Sequence, residues 1–324
     1  MFDPLRILVA VTAAASTAAV ILFLCNLLWS RSRPTAVPLS CVLGVGLGSF
    51  LGCWILMGRL PHWPPREDQD RLLLLLLPAV IAVELAAAFP ALPRGLAWLL
   101  RGAVAASTPR ILLHGTSYLA DLGLPGTPEW TPTQTWLILG GIALVQAATW
   151  VGLSLLAQRP SGRCVPPALI VACGGTGVTV MLSGYASGGQ LGLPLAGALA
   201  GATVALLAIR RRVDMNGAIG PGVVGLFALL VVGHFFGNLP LWYAALLLSA
   251  PLLCWLPELT TRFAVLLRII CVVAPVSIVL VAAQVRFVED MSRSSPPTTR
   301  PSNPSPPDTP EPTWQDYLDF RSKP

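Results

Sequence analysis

Charged residues are scarce in this chain. They occupy 11% of its 324 positions, whereas a soluble domain carries roughly 25%. Two stretches have no formal charge at all, namely the 46 residues between Arg163 and Arg210 and the 43 residues between Asp214 and Glu258. Each stretch is long enough for two membrane-spanning helices of about 20 residues. The composition therefore excludes an ordinary soluble protein and indicates that most of the chain lies in a lipid bilayer.

Sequence patterns that would indicate chemistry are also missing. The seven cysteines form no CxxC pair, and all except Cys164 fall within apolar runs. The three histidines, His62, His114 and His234, match no metal-binding spacing. GxSxG and phosphate-loop motifs are absent. We therefore expect no enzyme activity, no catalytic residue and no cofactor or metal site. The arginines are scattered at span ends and do not form a block, which argues against nucleic-acid binding.

The remaining sequence consists largely of apolar runs, which predict nine membrane-spanning helices. A tenth candidate, Leu96 to Ala106, is short and has Arg101 in its middle, so it is a tilted span, a half-span or a re-entrant arm. The runs must be helical, because no alternating β-barrel pattern is visible and an unpaired backbone group in hydrocarbon costs several kcal/mol. The predicted fold class is all-α, a polytopic bundle of about ten spans, with nine as the alternative. The nine runs are Leu5 to Trp29, Val37 to Met57, Leu72 to Phe89, Thr135 to Leu156, Pro166 to Ser183, Leu191 to Ile209, Ala218 to Phe236, Leu241 to Trp255 and Phe263 to Val288.

The positions of the arginines predict the orientation of the spans. The turns at 184–190 and 237–240 have none, while the alternating turns carry Arg159, Arg163, Arg210 to Arg212 and Arg262 and should face the cytoplasm. With ten spans both termini lie outside the cytoplasm, although the tail then places several basic residues there. With nine spans the amino terminus lies inside. Arginine supplies 20 of the 21 basic residues and Ala, Gly and Pro are abundant, so we expect a bacterial plasma membrane.

The chain divides into a bundle at 1–290, with an extramembrane loop at 107–134, and a tail at 291–324. The tail is rich in Pro, Ser and Thr and cannot bury a core, so we expect it to be disordered. Near its end, Trp314, Tyr317 and Leu318 are spaced i, i+3, i+4 and are followed by Phe320. These four residues are a candidate docking motif for a protein partner.

Glu84 is the most costly residue of the predicted spans, because a carboxylate in a bilayer must be neutral or paired. If the chain reverses at Pro90–Pro93, Glu84 and Arg101 both lie about 12 to 13 Å from the turn. We therefore predict an antiparallel ion pair. The pair either holds a hairpin together or acts as a proton relay or substrate anchor. The lack of a second acidic group in the other spans favours the structural role.

Glycines give two further signals. Gly174, Gly175 and Gly177 are a candidate helix interruption of the kind that discontinuous transporter helices have, and a continuous flexible helix is the alternative. Glycines four residues apart predict close helix packing. They are Gly44, Gly48 and Gly52, Gly197 with Gly201, and Gly233 with Gly237.

Three functions fit this sequence. The first is a non-catalytic accessory or scaffolding membrane protein that contacts a partner through its tail. The second is a small-solute transporter that uses Glu84, Arg101 and the glycine interruption. The third, a lipid-modifying intramembrane enzyme, would need His114, Asp121 and Glu129 beside a cavity. The missing motifs favour the first function.

Overall fold

A computed structural model describes residues 3–29, 36–119, 129–159, 164–209, 216–255 and 264–294. The described chain contains a π-helical turn at Leu72–Leu76, a 3₁₀ turn at Leu253–Trp255 and twelve α-helices. The α-helices are α1 (Pro4–Trp29), α2 (Ala36–Met57), α3 (Asp68–Arg71), α4 (Leu77–Ala88), α5 (Arg94–Leu112), α6 (Pro132–Ala157), α7 (Val165–Leu182), α8 (Ala186–Gln190), α9 (Gly192–Ala208), α10 (Asn216–Phe235), α11 (Leu241–Leu252) and α12 (Ala264–Ser294).

The described residues form helices and no strand, so the predicted all-α class is confirmed. Eight helices in this part of the chain are long and apolar enough to cross a membrane. One of the eight combines α3, the π turn and α4, and another combines α8 with α9. A shorter apolar helix covers Leu241–Trp255. The described chain is thus a helical bundle of the membrane type.

The candidate tenth span is α5, which is longer than the sequence indicated. It has 19 residues and a length of about 28 Å, close to the roughly 30 Å of a hydrocarbon core. Its last turn lies beside the start of α3, where Arg71 donates to the carbonyl oxygen of Leu112 at 3.2 Å. α5 therefore runs back along the whole of α3 and α4, as ten spans require. That α5 crosses the membrane stays a prediction, because it is not among the eight helices that are long and apolar enough to do so.

Several turns meet at one end of the bundle, which we call the first end. The Tyr185 hydroxyl donates to Asp68 Oδ1 at 2.7 Å, which joins the turn after α7 to the start of α3. The Tyr118 and Phe235 rings, with centroids 5.4 Å apart, join the segment after α5 to the end of α10. The first end comprises residues 58–67, 113–119, 129–131, 183–185 and 236–240.

Other helix termini meet at the opposite end, which we call the second end. The Arg159 guanidinium, just after α6, lies 4.5 Å from the centre of the Trp255 ring, just after α11. The Cys254 thiol lies 3.8 Å from the carbonyl oxygen of Cys164, which precedes α7. Because α6 and α11 begin at the first end and finish here, consecutive helices alternate in direction.

Two rows of glycine hold α1 between α2 and α9. A Cβ atom on Gly48 of α2 would lie 2.6 Å from the carbonyl oxygen of Ala14, and one on Gly197 of α9 would lie 2.8 Å from that of Val11. Ala14 itself is fully buried. Since any side chain in these rows would strike the backbone of α1, the predicted role of these glycines in close packing is confirmed.

α10 lies at the centre of the bundle. It is the most buried of the eight apolar helices, with 89% of its apolar stretch shielded. Glycines along α10 allow different helices to pack closely against it. A Cβ atom on Gly217 would meet Val42 of α2 at 2.7 Å, and one on Gly233 would meet Val180 of α7 at 2.6 Å. A third glycine, Gly220, admits the side chain of Glu84.

The described residues up to Val285 form one compact unit, and those from Arg286 onward belong to a second. The described part of the second unit is the last nine residues of α12, so the helix continues four residues beyond the predicted start of the tail at Met291. The exposed positions 286–293 belong to this helical end. The candidate docking motif Trp314, Tyr317, Leu318 and Phe320 lies outside the described residues.

Candidate functional site

The turn between α4 and α5 brings Glu84 and Arg101 together. Arg101 Nε donates to Glu84 Oε1 at 2.9 Å, and Arg101 Nη2 donates to Glu84 Oε2 at 2.7 Å. Only 3% of the Glu84 side chain and 15% of the Arg101 side chain are exposed. This is the two-point geometry in which guanidinium and carboxylate bind most strongly. A functional role for the pair beyond this contact stays a prediction.

Neighbouring helices close over the pair. The Trp98 ring of α5 lies 4.7 Å from the Arg101 guanidinium carbon, a cation–π distance. A Cβ atom on Gly220 of α10 would lie 2.7 Å from Glu84 Oε1 and 2.9 Å from Trp150 of α6. The Trp150 side chain is almost completely buried. The carboxylate is therefore enclosed by packed side chains.

A second polar contact joins α5 to α6 farther along the hairpin. Gln146 Nε2 donates to Thr108 Oγ1 at 3.2 Å, and both residues are completely buried. Thr108 lies seven residues after Arg101, or about 10 Å along the helix. Gln146 Oε1 has no hydrogen-bond partner among the described residues. The two polar contacts are thus separate features and do not form a continuous polar path.

The predicted interruption at Gly174, Gly175 and Gly177 is not present, because α7 is continuous from Val165 to Leu182. These glycines allow close packing instead. A Cβ atom on Gly175 would strike Val276 of α12, and one on Gly177 would lie 2.7 Å from the carbonyl oxygen of Gly189. The backbone of α7 therefore offers no open carbonyl or amide groups at this level.

A polar cavity opens at the first end, between the end of α2, α3 and α8. We call it the vestibule, and its volume is about 470 Å³. Its lining combines charged and amide side chains with apolar ones. Its lining residues are Leu56, Met57, Arg59, Glu67, Gln69, Tyr185, Ser187, Gln190 and Leu191.

A hydrogen-bond network organises one wall of the vestibule around Tyr185. Its hydroxyl donates to the buried Asp68 and also interacts with the side chains of Gln69 and Ser187. Burial, followed by the hydrogen bond to Asp68, raises the pKa of the Tyr185 phenol well above its usual range. The hydroxyl is therefore protonated, and a donor, at any physiological pH.

Arg59 organises the rim of the vestibule. Its Nη2 lies 2.6 Å from Glu67 Oε2, and its Nη1 contacts His62 and lies 3.8 Å from Asp70 Oδ1. Asp70 is 1% exposed, and neither carboxylate oxygen has a hydrogen-bond partner among the described residues. Since Asp70 lies in the first turn of α3, the positive end of the helix dipole also stabilises its charge.

Of the loop residues that an enzyme would require, the structure describes His114 and Glu129. Ser117 donates to Glu129 at 2.7 Å, whereas His114 lies at the end of α5, where its backbone carbonyl accepts from Arg71. Asp121 lies outside the described residues. Trp130, beside Glu129, packs against Tyr118 with ring centroids 4.9 Å apart. Among all the residues that the structure describes, no group of three or more His, Cys, Asp or Glu side chains could hold a metal ion.

A pair of thiols lies at the second end. The Cys254 side chain hydrogen-bonds with Cys164, and this contact lowers the pKa of the Cys164 thiol to about 7. The charge of Arg268 acts in the same direction, while burial opposes both effects. Cys164 is therefore the thiol that we expect to ionise near neutral pH.

No protein family model, curated protein or solved structure matches this chain. The candidate sites therefore depend on the geometry alone. The vestibule was missed at the sequence level, although two signals pointed to it. The acidic stretch after Arg66 and the polar turn that ends at Gln190 both fall on the same side of the membrane when the spans are counted.

Proposed function

We propose that the protein is a non-catalytic accessory or scaffolding component of a bacterial plasma membrane. The observation that supports this best is the closed state of its interior. Glu84 and Arg101 satisfy each other and are enclosed by Trp150 and Gly220. A cavity inside the bundle, between α2, α4, α9 and α10, measures about 30 Å³, room for about one water molecule.

In this proposal the Glu84–Arg101 pair fixes the α4–α5 hairpin, and function depends on surfaces that contact other proteins. The predicted contact surface is the end of the tail, at Trp314, Tyr317, Leu318 and Phe320. The long proline-rich segment before it would keep this motif away from the membrane. With ten spans, both termini would lie outside the cytoplasm.

A pull-down tests this proposal. The full chain, carrying an amino-terminal tag, is purified in mild detergent beside a variant with Trp314→Ala, Tyr317→Ala and Phe320→Ala. A control variant carries Ser302→Ala, Ser305→Ala and Thr309→Ala in the same tail. We expect one membrane protein to co-purify in fixed ratio with the full chain and the control but not with the aromatic variant. An identical set of proteins from all three would overturn the scaffold role.

Small-solute transport is the second candidate, and the vestibule is the observation that favours it. Transport would require the buried pair to exchange partners, so removing both charges would abolish function. The scaffold role predicts that Glu84→Leu combined with Arg101→Met keeps the partner bound, because a buried ion pair is often replaced by apolar residues without loss of stability. Loss of solute uptake by this folded double variant while the partner stays bound would favour transport.

A further inference from the structure

We propose that the vestibule binds a neutral polyhydroxylated group, a sugar presented free in solution or as the head group of a glycolipid. This inference goes beyond the scaffold role and does not depend on it. It starts from the depth and size of the cavity. At about 470 Å³ the vestibule falls within the range of roughly 300 to 1,000 Å³ that small-molecule sites occupy.

The charges around the vestibule favour a neutral ligand. Arg59 and Glu67, the charged lining residues, neutralise each other across 2.6 Å. Asp68 behind the wall is engaged by the Tyr185 hydroxyl. Arg71 is directed away from the vestibule, to backbone carbonyls that include that of Leu112. Asp70, whose carboxylate has no hydrogen-bond partner among the described residues, is 1% exposed and is not a lining residue. A charged ligand in the cavity would therefore meet Arg59 and Glu67, which are already paired.

The polar wall offers hydrogen-bonding groups that suit hydroxyls. Gln69 and Gln190 each carry an amide with two N–H donors and a carbonyl acceptor, and Ser187 carries a hydroxyl. A sugar hydroxyl both donates and accepts, so it matches an amide better than it matches a charged group. Gln69 and Ser187 come from two segments that Tyr185 connects, so the network holds these two side chains together at the cavity. Gln190 follows Ser187 by three residues in the same short helix.

The same cavity also offers apolar surface. Leu56, Met57 and Leu191 line it, and the Tyr185 ring adds an aromatic face. That ring is supported from behind by Phe236, whose centroid lies 5.9 Å away in a stacked arrangement. A sugar ring has C–H faces that pack on such surface while its hydroxyls reach the amides. This combination of an amide wall and an aromatic face is the observation that identifies the ligand class.

The test measures maltose binding to the full chain in a detergent without a sugar head group. Saturation-transfer NMR and thermal unfolding report binding. Gln190→Leu removes the amide at nearly constant volume and should weaken binding by roughly 3- to 10-fold, the effect of one lost hydrogen bond. Ser187→Tyr, at an exposed position, fills the cavity and should abolish binding without loss of folding. Gln158→Leu makes the same change at an exposed position of the second end and should bind as the unchanged protein does.

Each outcome decides for or against the proposal. Binding that Ser187→Tyr removes and Gln158→Leu leaves intact supports it. A second arm uses nanodiscs with or without glucosyl-diacylglycerol, and stabilisation there without maltose binding identifies the glycolipid as the source. Absence of binding in both arms overturns the proposal. Binding of putrescine in place of maltose also overturns it, because the carboxylates would then select the ligand.

Discussion

Glu84 and Arg101 each occupy a position that neither could hold alone. The carboxylate is 3% exposed and would face a large desolvation cost without its partner. Arg101 donates two hydrogen bonds to this carboxylate from its planar guanidinium group, and the Trp98 ring covers the face of that group. A pair of this kind contributes little net stability compared with apolar residues, but it strongly penalises the loss of one member.

A double-mutant cycle tests this coupling. Glu84→Ala or Arg101→Ala alone should lower the free energy of unfolding by about 3 to 5 kcal/mol, because a charge is stranded. The double variant should lose less than the sum of the two. Unfolding in SDS titrations measures all three values. Glu289→Ala and Arg293→Ala, at exposed positions of α12, serve as the control and should be additive within about 0.5 kcal/mol. Additive losses for Glu84 and Arg101 would contradict the coupling.

Cys164 should react as a thiolate near neutral pH. The contact with Cys254 and the charge of Arg268 lower the pKa of the Cys164 thiol to about 7. The reactive thiolate is therefore lost as the pH falls through 7, and ionisation is complete well above pH 7. Alkylation by iodoacetamide, followed by mass spectrometry of the Cys164 peptide, should be half-maximal near pH 7. The buried Cys173 provides an unreactive internal reference.

Cys254→Ala provides the control for this prediction. Removing the neighbouring thiol should move the midpoint of Cys164 alkylation upward, toward the ordinary thiol value of 9.0. If the midpoint is near 9.0 in the unchanged protein as well, the contact with Cys254 does not act on Cys164 as described.

At the scale of helices, glycine position decides how closely neighbours approach. A Cβ atom on Gly201 of α9 would overlap the carbonyl oxygen of Ala15 of α1, so Gly201→Ala should force the two helices apart. We expect it to cost about 1 to 3 kcal/mol of unfolding free energy. Gly140→Ala on α6 makes the same change where nothing lies within 4 Å. It should be neutral or stabilise the helix by up to about 1 kcal/mol. Equal effects at both positions, measured by SDS unfolding, would contradict this packing.

The helices show which features the sequence could predict. The spans were recognisable because apolar runs of this length have few alternatives, and the Glu84–Arg101 contact followed from counting residues across one turn. α5 was underestimated because Arg94, Arg101 and Arg110 lower its hydropathy, although its helix continues through all three. At Gly174, Gly175 and Gly177 the sequence predicted a helix break, and the structure has a continuous helix instead. The same residues permit a break or a close contact, and only the neighbours, α12 and Gly189, decide between them.

The vestibule could not be predicted from local pattern. Its polar wall joins Gln69 to Ser187 and Gln190, more than 110 positions apart in the chain. Their proximity depends on how α2, α3 and α8 pack, which no single segment encodes. The charges in the segment from Arg59 to Arg71 cancel, so its acidic stretch alone predicts a turn with a helix cap and not the wall of a cavity.

For the whole molecule, orientation determines which compartment the vestibule faces. The turns and helix ends assigned to the first end carry five arginines, Arg6, Arg59, Arg66, Arg71 and Arg110. The turns and helix ends on the other side of the membrane carry nine arginines. They are Arg31, Arg33, Arg94, Arg159, Arg163, Arg210, Arg211, Arg212 and Arg262. Because arginine in short loops is retained in the cytoplasm, the second end should face the cytoplasm and the vestibule should open outside it.

Reporter fusions test this orientation. Alkaline phosphatase, which is active only outside the cytoplasm, should be active when fused after Gly188 and inactive after Asp214. Fluorescent-protein fusions at the same sites should give the reverse pattern. A third fusion, after Pro90, tests α5 separately: it should match Asp214 if α5 crosses the membrane, because the turn between α4 and α5 then lies at the second end. Phosphatase activity after Pro90 together with inactivity after Asp214 would show that α5 does not span, even though it runs the length of α3 and α4. Activity after Asp214 alone would invert the molecule and turn the vestibule toward the cytoplasm.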